Sequence, residues 1–365
     1  MIAKEHSRTQ VDDITWNDLD MDALYTRINQ CQSNVGEAVL YAMLRDTGVE
    51  QEVLDRRDRW MKAFAADEQG RMQAQKGLSR LGLDQNLKAY AYMARPDSQG
   101  PKHSWAYPLL AALPLVWAAL GFLNPLFLLG LALSFLLNMV VYYKTQAQWA
   151  PAEMAIQHLS RVLYTASQQT KHIVPGMEDG YAEMDSLCRR LRPLKRWSAL
   201  FAMGGGDVLE ALAVYLRIVF MLDMIALTRL SAFITQNKQE VQALYRLVGE
   251  MDAAIALASL RLSLPIHCAP SFHQERSVLA TDLVHPLIKD PVPNSVSWAR
   301  NALVTGSNAS GKSTFIKALA LSAICGQSLG ICFARAFVMP RAQVMSSMAL
   351  RDQVLSGESY FGPAE

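Results

Sequence analysis

Residues 306 to 314 read Gly-Ser-Asn-Ala-Ser-Gly-Lys-Ser-Thr, and their order carries one specific chemistry. Gly306 and Gly311 let the backbone turn tightly and approach an anion with no Cβ in the way. The N–H groups of Ser307, Asn308, Ala309, Ser310 and Gly311 then point inward and can cradle a phosphate. Lys312 brings a positive charge to the β- and γ-oxygens of a nucleoside triphosphate. The Ser313 hydroxyl is the expected Mg²⁺ ligand, and Thr314 opens the helix that follows. The ligand this pattern calls for is ATP with Mg²⁺.

Such a loop works only between a strand and a helix. Ala302-Leu303-Val304-Thr305 is short, apolar and partly β-branched, so it reads as a buried strand. From Thr314 to Leu329 the chain reads as a helix, with Phe315, Ile316, Leu319, Leu321 and Ile324 on its apolar face. The phosphates would sit at the N-terminus of that helix, at the mouth of a parallel sheet.

The chain has 365 residues, room for two or three domains. Its net charge of +2 favours no polyanionic partner in particular. The five cysteines (Cys31, Cys188, Cys268, Cys325 and Cys332) form no C-x-x-C pair, and no His/Cys spacing suggests zinc. With polar and charged first residues in place of a signal peptide, free thiols in a reducing cytosol are the simple reading.

Between Trp105 and Tyr143 the chain carries no Asp, Glu, Lys or Arg. Two apolar segments, Tyr107–Leu123 and Leu126–Tyr143, flank the turn signal Asn124-Pro125. Each approaches the ~20 residues a helix needs to cross a bilayer. Trp105, Tyr107, Tyr142 and Tyr143 lie at the outer ends, where interfacial aromatic residues belong. Arg95, Lys102 and Lys144 put both flanks on the cytoplasmic side. The pattern predicts a transmembrane hairpin over 105–144; the competing reading is a helical hairpin buried in a soluble core. The apolar stretch Ala199–Leu230 differs. Asp207, Glu210, Arg217 and Asp223 recur through it, and it reads as a helix of a soluble domain entered through Gly204-Gly205-Gly206.

Elsewhere, Leu19, Met21, Leu24, Ile28, Val35, Val39, Leu40 and Leu44 recur at helical spacing. Residues Asn34 to Glu37 resemble a helix entry, and Asp55 to Leu81 is charged and amphipathic. Residues 150–262 read as helices punctuated by Pro151, Pro175 and Pro193. Prolines at 265, 270, 286, 291 and 293 mark a change to an α/β texture, with a boundary near 264. The expected organisation is a helical core (1–104), the hairpin (105–144), a helical continuation (145–264) and a partial α/β P-loop domain (265–365). The cluster Arg189, Arg190, Arg192, Lys195 and Arg196 fits a solvated helix face, or a site for lipid headgroups or a nucleic-acid backbone.

Several segments together resemble the MutS family of ATPases, members of the ABC-type superclass of P-loop proteins. They are Leu303 to Thr314 with its internal Asn308; His285-Pro286-Leu287-Ile288 and Val292-Pro293-Asn294; Gly249 to Ala253, with Ala258-Ser259-Leu260 and Cys268 to Phe272; and Asp20-Met21-Asp22, Gly36-Glu37, Leu40-Tyr41 and Leu44-Arg45. The resemblance implies a mainly α-helical core and lever region followed by an ABC-type ATPase domain, with DNA mismatch repair as the family's field and DNA as a partner. This chain has no Phe-x-Glu reader motif, which argues against direct mismatch reading. Leu355 to Phe361 resembles the family's signature loop. That implies that Ser359 reaches the γ-phosphate held by a second subunit, in a homodimer with composite sites. The Asp-Glu pair that would orient the attacking water is not found after the loop. The expectation is therefore a C-terminally truncated ATPase, or else a binding-only relative, that binds ATP with little or no turnover. A non-catalytic ATP-binding module and a transporter component stand as alternatives.

Overall fold

A computed structural model describes residues 9–83, 104–194, 208–307 and 310–348. The described chain is mostly helical, with one small mixed sheet. It divides into two compact units.

The first unit takes residues 1–75, 174–177 and 249–365. It opens with helices α1 (Asp13–Asp18), α2 (Met21–Ile28), α3 (Asn34–Arg45), α4 (Gln51–Ala66) and most of α5 (Glu68–Leu78). Asp12 caps α1 by accepting from the Thr15 N–H, and Ser33 caps α3 by accepting from the Gly36 N–H. The helical periodicity read from Leu19 to Leu44 is the buried face: all eight of those residues are inside. Asp67 breaks the long charged stretch into α4 and α5 and accepts from the Gly70 N–H.

The same unit holds the sheet, of order β1-β4-β2-β3. Its strands are β1 (Ser271–His273), β2 (Val278–Leu283), β3 (Asn294–Trp298) and β4 (Ala336–Pro340). Only β1 and β4 run parallel; β2 is antiparallel to both β4 and β3. Helix α12 (Lys312–Leu329) covers this sheet through Ala318, which joins Ala280, Leu283, Cys332, Ala334, Phe337 and Met339 in one apolar core.

The second unit takes residues 76–173 and 178–248. Helix α6 (Tyr107–Gly121) is followed by a 3₁₀ turn at Pro125–Phe127 and by α7 (Leu128–Gln169). The turn is fixed by Asn124, whose side chain accepts from the Leu126 N–H at 2.9 Å. Gly130 lets the Trp117 ring lie on α7, since a Cβ there would fall 2.5 Å from the indole. Next come α8 (Glu178–Arg190), α9 (Val208–Val219) and α10 (Leu222–Gln236). Helix α11 (Lys238–Ser263) starts in this unit and ends in the first.

Burial in the hairpin is inverted relative to a soluble core. Leu129, Leu133, Leu136 and Phe122 face outward, whereas Ser134 and Asn138 are buried. The Asn138 amide donates to the Leu110 and Val219 carbonyls at 2.9 and 2.7 Å. Ser134 Oγ donates to the Leu131 carbonyl. Both helices are long and apolar enough to cross a membrane, and only 11% of the apolar 18-residue stretch of each is buried.

Three expectations are corrected. Ala302–Thr305 is not a strand, and Leu303 is 90% exposed. β-branched, apolar composition expresses a fit to a pleated, half-buried surface rather than a backbone preference; the described sheet ends at the edge strand β3 and offers this run no partner. The sheet is mixed rather than parallel, because β2 runs antiparallel to both of its neighbours. Second, Pro151 does not punctuate the chain. It lies inside α7, which continues 26 residues past Tyr143 to Gln169. Third, Ala199–Leu230 is not a single helix: α9 and α10 meet at Met221, whose φ of 51° is left-handed. Residues 199–207, including the three glycines, lie outside the described chain.

Candidate nucleotide-binding loop

The loop enters α12 through Gly311, whose φ of 85° puts it in the left-handed region that disfavours any side chain. Nothing lies within 4 Å of a Cβ built there, so the space beside the turn is open. At Gly306 a Cβ would come within 3.0 Å of Ser310 Oγ. The Ser310 N–H donates to the Ser307 carbonyl at 3.3 Å. Phe315 N–H bonds back to the Gly311 carbonyl, the first intrahelical bond of α12. The N–H groups of Lys312, Ser313 and Thr314 precede it in the first turn. They are unpaired within the helix and, with the helix dipole, favour an anion.

Lys312 is folded inward. Its ammonium donates to the Gly306 carbonyl at 2.7 Å, to the Ser307 carbonyl at 2.5 Å and, more weakly, to Ser310 Oγ at 3.4 Å. The cation therefore rests on the two carbonyls of Gly306 and Ser307. Ser313 and Thr314 are solvent-exposed. Asn308, Ala309 and Ser359 lie outside the described residues. The geometry thus brings together Gly306, Ser307, Ser310, Gly311, Lys312, Ser313 and Thr314.

Sequence reading missed what holds α12 in place. Trp298 on β3 packs edge-on against Phe315, with ring centroids 6.0 Å apart. Lys317, one turn beyond the loop, pairs with Asp20 at 2.6 Å. His285 lies in the same neighbourhood; burial, then the Lys317 charge, pull its pKa below the ordinary range, so it is neutral near pH 7. At the far end of α12, Arg57 donates to the Ser328 carbonyl. Arg261 donates to the Gly330 carbonyl at 3.2 Å and pairs with Asp58 at 2.6 Å. Asp20, Arg57, Asp58, His285 and Phe315 sat in segments already singled out, but their pairings join residues far apart in sequence.

A second cluster ties α11 to α3. Asp252 is fully buried and accepts from the Gln32 N–H, the Ser33 N–H and Ser33 Oγ, at 2.9, 2.9 and 2.6 Å. Burial pushes its pKa up to about 6, and these hydrogen bonds oppose the rise. Gly36 and Gly249 allow the close approach: a Cβ at Gly36 would fall 2.3 Å from the Asp252 carboxylate, and one at Gly249 would fall 2.4 Å from Val39. In the basic cluster, Arg189 pairs with Asp185 and Arg190 with Glu240, as on a solvated helix face; Lys195 and Arg196 lie outside the described residues.

Among the described residues no group of three His, Cys, Asp or Glu side chains forms a metal site. No family model matches the chain. Individual relatives do. The chain is 31% identical over 146 residues to the DNA mismatch repair protein msh3 of Emericella nidulans, covering 37% of this chain and 13% of that protein. It is 29% identical over 133 residues to the DNA mismatch repair protein MutS of Halalkalibacterium halodurans, covering 33% of this chain and 15% of the relative. The MutS protein of Pseudothermotoga lettingae is 34% identical over 100 residues, 25% of this chain and 12% of its own length. The matched stretch thus spans less than a sixth of the length of these three relatives.

Proposed function

Because the chain is related to the MutS family of DNA mismatch repair proteins over about a third of its length, we propose that it is a MutS-related ATP-binding protein anchored to a membrane by residues 105–144. The observation that carries the nucleotide reading is the Lys312 ammonium held over the loop carbonyls at the mouth of α12. A triphosphate offers that cation better acceptors than two neutral carbonyls. In the bound state Gly306 to Gly311 would supply backbone donors, Lys312 the counter-charge, and Ser313 a hydroxyl for Mg²⁺, within an ABC-type P-loop domain. Titration with mant-ATP and Mg²⁺ tests this. Lys312→Ala should weaken binding at least tenfold, and parent-like binding by that variant would remove the site assignment.

Support for the anchor comes from the inverted burial of the hairpin. Leucines outward and Ser134 and Asn138 inward is the arrangement that lipid, not water, rewards. Family relation further supports ATP-driven dimerisation with Ser359 acting across subunits, movement of the helical levers, and DNA as a partner. A gel shift at low and high salt on detergent-solubilised protein tests the last. The second reading is a non-catalytic ATP-binding module; phosphate release abolished by Lys312→Ala would exclude it.

A further inference from the structure

Three of the five cysteines converge where the chain leaves α11 and where it leaves α12. Cys268 and Cys332 face each other as an isolated antiparallel bridge. Each N–H donates to the other's carbonyl, at 3.0 and 2.8 Å. Residues paired this way have Cα atoms about 5.5 Å apart, inside the window of roughly 4.4–6.8 Å that a disulfide requires. Both thiols are free.

Their surroundings are unequal. Cys332 is fully buried, with its sulfur against Gly326, where a Cβ would come within 2.7 Å. Its thiol also lies 3.4 Å from the Ser322 carbonyl. Cys268 is only half-buried, so a small oxidant can reach it. Hydrogen bonding from the Cys332 thiol and from the Phe337 N–H favours the Cys268 thiolate over ordinary cysteine, whereas burial holds Cys332 protonated. The third thiol, Cys325, is buried in α12 and pushed up to about 12 by burial alone.

We propose that Cys268 and Cys332 form a reversible redox site, closed to a disulfide by a peroxide. The Cys268 thiolate attacks one oxygen of hydrogen peroxide, the O–O bond breaks, and hydroxide leaves with Cys268 as a sulfenic acid. Cys332 sulfur then attacks the sulfenic sulfur. An S–S bond forms, the S–O bond breaks, and the hydroxyl leaves as water with the Cys332 proton. In sum two thiols lose two electrons and two protons, and one peroxide becomes two waters. A thiol reductant reverses the step by exchange. The closed loop runs from 268 to 332 and contains the whole 306–314 segment and all of α12. Oxidation therefore staples the end of α12 to the exit of α11, whether or not ATP is the ligand.

The test uses the 365-residue chain in detergent, treated with stoichiometric hydrogen peroxide, then unfolded in guanidinium chloride, alkylated with N-ethylmaleimide and digested without reductant. The expected result is a peptide pair joined by Cys268–Cys332, a mass loss of two hydrogens, alkylation retained at Cys31, Cys188 and Cys325, and full reversal by dithiothreitol. The oxidised protein should melt several degrees higher than the reduced one, as expected when a long loop is closed. Cys268→Ser should abolish both the cross-link and the shift, and Cys325→Ser should change neither. Sulfinic acid at Cys268 with no cross-link, a Cys325–Cys332 pair, or an alkylated Cys332 after oxidation would each overturn the assignment.

Discussion

Replacing Asp252 by asparagine separates charge from shape at the junction of α3 and α11. The folded carboxyl titrates near 6, against 3.8 for an ordinary aspartate. Folding therefore takes up a proton between about pH 4 and 6. The stability contributed by this group is complete below the unfolded value and is lost as pH rises through the folded one. A shift of that size corresponds to roughly 3 kcal/mol between pH 4 and pH 7. Asparagine keeps a carbonyl oxygen to accept from the Gln32 or Ser33 N–H but carries no charge to desolvate. Melting of the parent and Asp252→Asn proteins should be followed at half-unit steps from pH 4 to 7.5. The charge of the neighbouring Glu37 also raises the Asp252 pKa, so the difference includes the coupling of the two acids. The parent should lose ground to the variant by a few kcal/mol across the range, with most of the change between pH 4.5 and 6. A flat difference would mean that Asp252 is solvated or that its partners are not Gln32 and Ser33.

Gly36→Ala should destabilise the first unit by roughly 1–3 kcal/mol by chemical denaturation, because the Cβ meets the buried Asp252 carboxylate and outweighs the gain in helix propensity. Leu133→Arg puts a charge on the outward face of α7 and should raise the apparent insertion cost by about 2.5–3.5 kcal/mol; alkaline carbonate extraction from membranes reads this as lost retention, and unchanged retention would remove the anchor. Asn138→Leu should loosen the packing of α6 and α9 on α7 by about 1–2 kcal/mol, read as a lower melting midpoint in detergent. Lys317→Ala should cost under about 1 kcal/mol in a melt, since Asp20 is largely exposed.

Local signals were legible. The helical faces from Leu19 to Leu44, the α12 helix behind the loop and the Asn124 turn all rest on spacing or capping within a few residues. What could not be read depended on distant partners. The 302–305 run has strand composition but no neighbouring strand in the described sheet. Pro151 signals a break, yet α7 continues through it. The bonds that hold α12 and Asp252 join residues up to 297 positions apart. Gly36 and Gly249 leave room for the Asp252 and Val39 side chains, a close approach that their spacing in the sequence does not reveal. The candidate loop is contiguous in the sequence and could be proposed from it, whereas the residues that hold α12 behind it are scattered along the chain.

The length of α7 has a mechanical consequence. Forty-two helical residues form a rod of about 63 Å at 1.5 Å per residue. A bilayer's hydrocarbon takes up about 30 Å of that. The remaining half would lie beyond the lipid, continuous through Pro151, with Trp149, Ile156, Leu159, Val162 and Leu163 buried along it. A displacement of whatever packs on that buried half would reach the apolar half along one unbroken rod, coupling the two ends of the second unit mechanically.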